Sequence, residues 1–355
     1  MKVLTVLGAR PQFIKAAPVS RVIRQKVEEI IVHTGQHYDQ NMSDIFFEEL
    51  SIPKPDYLLG IGSGNHGKQT AEMLTQIEDI ILKEKPDFLM VYGDTNSTLA
   101  GALAASKLHI PIIHIEAGLR SFNKKMPEEV NRILTDHISA LLLCPTDTAV
   151  ENLKNENITE GVSNVGDVMY DAVMFNSELA KTKSTILATE GLTKDDYYLI
   201  TIHRAENTDV KDRLENIFNA FEQIPGKKVW PIHPRTKKMI SDYGFNLESI
   251  KDLQIIDPVG YLDMLTLEVN SKKIITDSGG VQKEAYFAKV PCITVRDQTE
   301  WVETLVDDAN ILTGTDTKKI VDAVLKDVQP SYTPVFGDGH TSEKILEILL
   351  KTVSK

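Results

Sequence analysis

Short apolar runs alternate with longer amphipathic stretches along this chain, in two successive series, and few folds accept that pattern. The first series of runs is VLTVLG (3–8), IIVHTG (30–35), FLMVYGD (88–94), IIHIEAG (112–118) and LLLCP (141–145). Between them lie segments such as TAEMLTQIEDIILKEKP (70–86), whose Met73, Ile77, Ile80 and Ile81 recur at helical spacing. Runs that are apolar throughout belong to strands covered on both faces, and strands alternating with helices pair in parallel. A second series follows: YYLITIH (197–203), KVWPIH (228–233), LQIID (253–257), KIITDSGG (273–280) and PCITVRD (291–297). The pattern predicts an α/β chain of two Rossmann-like domains facing a cleft, and 355 residues suffice for both. The expected boundary puts residues 1–168 in the first domain and 169–341 in the second. The amphipathic stretch SEKILEILLKTV (342–353) is expected to cross back, so that about 342–355 caps the first domain.

Composition narrows the functions. The formal net charge is -12 with no long basic block, which argues against nucleic acid as partner. An anionic ligand would have to be held by a few local basic groups against that field. The two cysteines, Cys144 and Cys292, form no CxxC and fit a reducing compartment better than a disulfide framework. No stretch approaches the ~20 apolar residues of a spanning helix, and the N-terminal run is too short for a signal peptide. The expectation is a cytoplasmic protein with no membrane insertion.

In open α/β sheets ligands sit beyond the carboxyl ends of the strands, and polar residues cluster at those ends here. Gly8-Ala9-Arg10-Pro11 opens a helix after the first run, with Lys15 one turn on; this lacks the glycines of a dinucleotide fingerprint, yet a helix start with two cations favours an anion. A surface basic pair is the plain alternative. Asp277-Ser278-Gly279-Gly280 is a small-residue turn entering a helix, where backbone N–H groups can approach a phosphate, and Glu284 two turns later can accept from ribose hydroxyls. An ordinary cap by Asp277 or Ser278 explains one residue of that turn but not the paired glycines. Asp94 and Glu116 end two apolar runs, and Glu128 and Glu129 open a helix, where they also complement its dipole. Three carboxylates at one site can act as acid and base, with Arg132, one turn past Glu128, placed to orient it. His203-Arg204 and, more weakly, His233 end strands of the second series. No histidine–carboxylate set has metal-ligand spacing, so no metal is expected.

Taken in order, GARPQFIK, VHTGQH, YGDTNSTLAG, HIEAGLRS, MPEEVNR, TIHRAEN and TDSGGVQKEA resemble the non-hydrolysing UDP-N-acetylglucosamine 2-epimerases over about residues 2–350. The resemblance implies the two-domain GT-B (glycosyltransferase-like) fold, a homodimer, a UDP-sugar substrate and no added cofactor. It implies catalytic roles for Asp94, Glu116, Glu128 and His203. It places Arg10, Ser278, Gly279 and Gly280 at the diphosphate, with Lys15 close by, and Glu284 at the ribose; Arg132 and His233, from their positions in the sequence, are added as substrate contacts. The implied reaction removes the C2 proton as UDP leaves C1, then returns UDP to C1 and a proton to the opposite face of C2, in the service of surface polysaccharide synthesis. A glycosyltransferase of the same fold and a hydrolysing epimerase are the alternatives.

The chain departs from the family's usual pattern in three places. Asn123-Lys124-Lys125-Met126 stands where Ser-Pro-Trp is usual, and Thr299-Glu300-Trp301-Val302-Glu303 stands where Thr-Glu-Arg-Pro-Glu is usual, so Trp301 replaces an arginine near the diphosphate. Tyr-Asp-Gln-Asn-Met follows Gln36-His37 in place of an arginine-rich regulatory segment. These features resemble the subgroup acting on UDP-2,3-diacetamido-2,3-dideoxy-glucuronate, whose carboxylate Lys124 or Lys125 would meet.

Overall fold

The computed structural model describes residues 1–35 and 53–353. The segment after Gln36-His37 that the sequence set apart lies outside the described residues. The chain divides into two compact units: Met1–Phe175 with Pro334–Lys355, and Asn176–Thr333. The point of division falls inside the helix Val168–Lys183.

The first unit is built on a parallel sheet of β1 (Lys2–Leu7), β2 (Glu28–His33), β3 (Tyr57–Leu58), β4 (Phe88–Tyr92), β5 (Ile112–Ile115), β6 (Leu141–Cys144) and β7 (Val162–Asn164). The strand order is β3-β2-β1-β4-β5-β6-β7. The second unit carries β8 (Tyr197–Thr201), β9 (Lys227–Pro231), β10 (Leu253–Ile256), β11 (Lys273–Thr276), β12 (Cys292–Thr294) and β13 (Asn310–Leu312), ordered β10-β9-β8-β11-β12-β13. Helices cover both faces, which is why Phe88–Tyr92 and Tyr197–Thr201 are buried at every position. The helix His66–Glu84 buries Met73, Ile77, Ile80 and Ile81, the face its spacing predicts.

Each sheet reverses its winding once. In the first, β1 lies beside β4; in the second, β8 lies beside β11. Loops leaving two such strands diverge to opposite faces and open a crevice at their carboxyl ends. The loops in question are Gly8–Arg10 and Gly93–Asp94 in the first unit, and His203–Arg204 and Asp277–Gly280 in the second. The topology therefore places the Gly8–Arg10, Asp94, His203–Arg204 and Asp277–Gly280 clusters at the two switch points, while Glu116 follows β5 and His233 follows β9.

Candidate active site

In the first unit the turn after β1 is tight because a buried glutamine organises it. Gln12 Oε1 accepts from the Gly8 and Ala9 amides at 2.8 and 3.0 Å, while its Nε2 donates to Tyr92 O and Thr98 Oγ1 at 2.8 and 3.0 Å. That one side chain ties the Gly8 turn to the end of β4. Arg10 opens the helix Arg10–Ile23 on the exposed side. Lys15, one turn in, reaches across and pairs with Glu116. Glu116 is buried and holds φ +72°, a left-handed conformation that a non-glycine residue adopts at a cost.

Asp94 accepts from Arg132 Nε at 2.9 Å. Burial raises the Asp94 pKa above the ordinary aspartate value; Arg132 and Lys15 oppose the rise and Glu116 adds to it. The guanidinium of Arg132 also donates to Glu129 Oε2 at 2.6 Å. This corrects the expected geometry: the acids on Arg132 are Asp94 and Glu129, whereas Glu128 is exposed in the first turn of the helix Pro127–Ile138. The reason is Glu129's second task. Its carboxylate accepts from the Ser121 and Phe122 amides at 2.9 and 2.8 Å, which fixes the loop ahead of the helix and turns Glu129 inward.

Behind these acids lies a charge cluster that motif reading passed over. His114 Nδ1 is 2.6 Å from Asp136 Oδ1, and its Nε2 is 2.7 Å from the Gly93 carbonyl. Both ring nitrogens therefore face an oxygen, one of a carboxylate and one of the backbone. Asp136 Oδ2 also accepts from Arg120 Nη1 at 2.7 Å. Burial opposes the Asp136 charge, but His114 and Arg120 outweigh it and its pKa lies below the usual value. A histidine embedded in the apolar strand Ile112–Ile115 was the available signal.

In the second unit Asp277 joins the two switch-point loops. It accepts from the His203 amide at 3.1 Å, the Arg204 amide at 3.0 Å and Asn207 Nδ2 at 3.1 Å. Ser278 is then the cap of the helix Gly279–Phe287, accepting from the Val281 amide at 3.4 Å. Partial burial lowers the His203 pKa, helped by Arg204 and His233 and opposed by Asp277. His233 caps its own helix by accepting from the Arg235 amide at 3.2 Å, with its ring centroid 6.1 Å from that of His203. Glu284 is buried and accepts from the Tyr261 hydroxyl at 3.0 Å. Nearby Glu268 is fully buried, and neither carboxylate oxygen has a hydrogen-bond partner among the described residues. Burial and the charge of Glu284 push its pKa well above the usual glutamate value.

Trp301 is buried, with the Lys283 ammonium 3.8 Å from its ring centroid. Where the family pattern has an arginine, this chain holds a lysine against an indole face. Lys124 and Lys125 are exposed in the turn before Pro127. Both cysteines are buried and free. Among the described residues no cluster of histidine, cysteine and acids has metal-ligand geometry, and no helix is long and apolar enough to cross a membrane.

The family model of UDP-N-acetylglucosamine 2-epimerase matches residues 21–350. This chain belongs to that family. The family's members are isomerases, and several resemble this chain over nearly its whole length. A Methanococcus maripaludis UDP-N-acetylglucosamine 2-epimerase homolog is 58% identical, the alignment covering 98% of this chain and 99% of that one. The UDP-2,3-diacetamido-2,3-dideoxy-D-glucuronate 2-epimerase of Pseudomonas aeruginosa is 52% identical over 99% of this chain and 100% of its own length. Among solved structures of the family, Methanocaldococcus jannaschii UDP-GlcNAc 2-epimerase in complex with UDP-GlcNAc and UDP superimposes with a TM-score of 0.90 at 48% identity, covering 99% of this chain and 100% of that chain. The Neisseria meningitidis epimerase bound to UDP-GlcNAc gives 0.88 at 32% identity, with coverage of 99% and 100%. The GT-B-like α/β fold expected from the sequence is the fold of this family.

Proposed function

We propose that the chain inverts C2 of a UDP-2-acetamido sugar without hydrolysing it, converting the UDP-GlcNAc type to the UDP-ManNAc type. The observation that carries this reading is the pairing of Asp94 with Arg132 and Glu116 with Lys15 at one switch point, in a chain of the 2-epimerase family. The C2 proton is weakly acidic, so its removal needs a positioned base and concerted loss of the diphosphate. One carboxylate takes that proton as the C1–O bond breaks, leaving a glycal and UDP. A UDP oxygen then adds back to C1 while a second acid delivers a proton to the other face of C2. Asp94, with its raised pKa, suits the proton-carrying role, and Glu116 and Glu128 complete the acidic set. The reading assigns the sugar to the first unit's acids, the developing diphosphate charge to Arg10, Lys15 and the Ser278–Gly280 turn, and the ribose to Glu284. His203 is assigned a catalytic role beside the acids, and His233 and Arg132 are assigned as further contacts of the substrate. The same reading includes a cytoplasmic homodimer that supplies surface-polysaccharide precursors; light scattering tests the dimer and cell fractionation tests the location.

Proton NMR in D2O decides the chemistry. Exchange of the C2 hydrogen together with appearance of the manno epimer, without free sugar, is the expected result; turnover that requires an acceptor, or releases free sugar, rejects it. The second reading takes UDP-2,3-diacetamido-2,3-dideoxy-glucuronate as substrate. It is favoured by identity to the Pseudomonas enzyme, 52% against 48% for the M. jannaschii UDP-GlcNAc 2-epimerase, and by the exposed cations Lys124 and Lys125. Assays of both UDP-sugars side by side separate the two. A Lys124→Ala/Lys125→Ala chain that loses turnover of the uronate alone supports the second reading, and equal loss on both sugars rejects a role for these lysines.

A further inference from the structure

The first turn of the helix Gly279–Phe287 already faces an anion, and that anion belongs to the chain. A Cβ placed on Gly279 would stand 2.8 Å from Glu300 Oε1, 3.6 Å from Arg204 Nη2 and 3.7 Å from Trp301 Nε1. Three side chains thus converge where only a glycine hydrogen projects. The amides of Gly279 and Gly280 precede the helix's first internal bond, from Gln282 N to Ser278 O at 3.2 Å, so they point outward at this position. A carboxylate is stabilised there by the helix dipole, as a phosphate would be.

The other oxygen of Glu300 accepts from Arg296 Nη1 at 3.2 Å. Arg296 is only 3% exposed, yet its Nε has no hydrogen-bond acceptor among the described residues. Glu206 Oε1 lies 3.5 Å from that nitrogen as an ion partner without hydrogen-bond geometry. A buried guanidinium with an unfilled donor is costly. It stands beside an acid that already touches the same group.

We propose that Glu300 is an internal stand-in for a phosphate. Its carboxylate occupies the anion position at the helix start and turns onto Arg296 Nε when a nucleoside diphosphate arrives. The inference rests on the nucleotide-sugar reading of Ser278–Gly280 and adds to it a residue that sets diphosphate affinity. Two anions cannot share the position without repulsion, and the unfilled Arg296 donor gives the displaced carboxylate a paired place to go. Glu300 thereby weakens the hold on the diphosphate and leaves the nucleoside alone.

Calorimetric titration of the full chain with UDP and with uridine tests this. Glu300→Gln keeps the side chain's size and removes its charge. It is expected to bind UDP about tenfold more tightly at low ionic strength, with uridine affinity unchanged and the gain shrinking in salt. Glu300→Ala is expected to shift UDP affinity in the same direction, so a folding defect in one variant does not end the test. UDP affinity that is unchanged or weaker in the folded variants, while the wild-type chain binds UDP, overturns the role of Glu300 alone. A wild-type chain that binds neither UDP nor uridine overturns the nucleotide reading and this inference with it.

Discussion

Gly8 shows how much a single missing methyl group can specify. A Cβ at that position would lie 2.0 Å from Ser97 Oγ and 2.3 Å from Thr34 Oγ1, which hydrogen-bond one another at 2.8 Å. Gly8→Ala is expected to lower unfolding stability by about 2–3 kcal/mol in urea titrations, because the buried hydroxyl pair must be forced apart. His33, one strand over, is a second residue whose chemistry follows from its surroundings. Burial lowers its pKa from 6.5 to about 4, and its Nδ1 accepts from the Gly35 amide at 2.9 Å, which requires an unprotonated nitrogen. The folded ring stays neutral while the unfolded chain binds a proton below about pH 6.5. Stability is therefore fully present above that pH and falls as the pH drops toward 4, by up to about 3 kcal/mol. A His33→Gln chain should show a flatter stability profile across this window, and a profile as steep as the wild type's would refute the assignment. Glycine turns were readable in the sequence; the neutral state of His33 was not, since it depends on which groups enclose the ring.

At the scale of elements, the ends of β4 and β5 are joined by buried charge. His114 projects from β5 to the Gly93 carbonyl, Asp136 projects from the helix Pro127–Ile138 to His114, and Arg120 closes the cluster against Asp136 and Glu156. The cluster holds the turn that carries Asp94. Replacing Asp136 by Asn removes the carboxylate from His114 and leaves Arg120 paired with Glu156 alone, and thermal unfolding should register a loss of about 3 kcal/mol. The pH dependence has a definite sign. Because the folded Asp136 pKa is depressed, its contribution exists above the unfolded value and disappears as the pH falls below about 4. Acid-induced loss of stability in that range should be smaller in the Asp136→Asn chain than in the wild type. Helix and strand identities here were legible from periodicity, but the partners were not. Arg132 reaches Asp94 across 38 positions of sequence, whereas the local one-turn rule pointed it at Glu128.

At the scale of the whole molecule, the C-terminal helix Thr341–Val353 belongs to the unit that the N-terminus begins. Asp171 receives its first turn, accepting from the Thr341 amide at 3.1 Å and from the Ser342 amide and hydroxyl at 2.7 Å, and Ile345 and Leu349 are fully buried. A chain ending at Thr333 should lose ordered structure in the first unit, seen as a lowered far-UV melting midpoint. Trp230 and Trp301, the chain's two tryptophans, lie in the second unit and should keep native fluorescence; loss of both signals together would contradict the prediction. What the sequence determined by itself was the alternation of strand and helix, twice, and the residues at the strand ends, because apolar runs and glycine turns are local properties of the chain. Which polar groups meet was decided by the sheet order. With β8 beside β11, Asp277 bonds the amide of His203 from 74 residues away, and the loop after β12 brings Glu300 onto Gly279. Such pairings depend on strand adjacency, and a local pattern of hydrophobicity carries no information about adjacency.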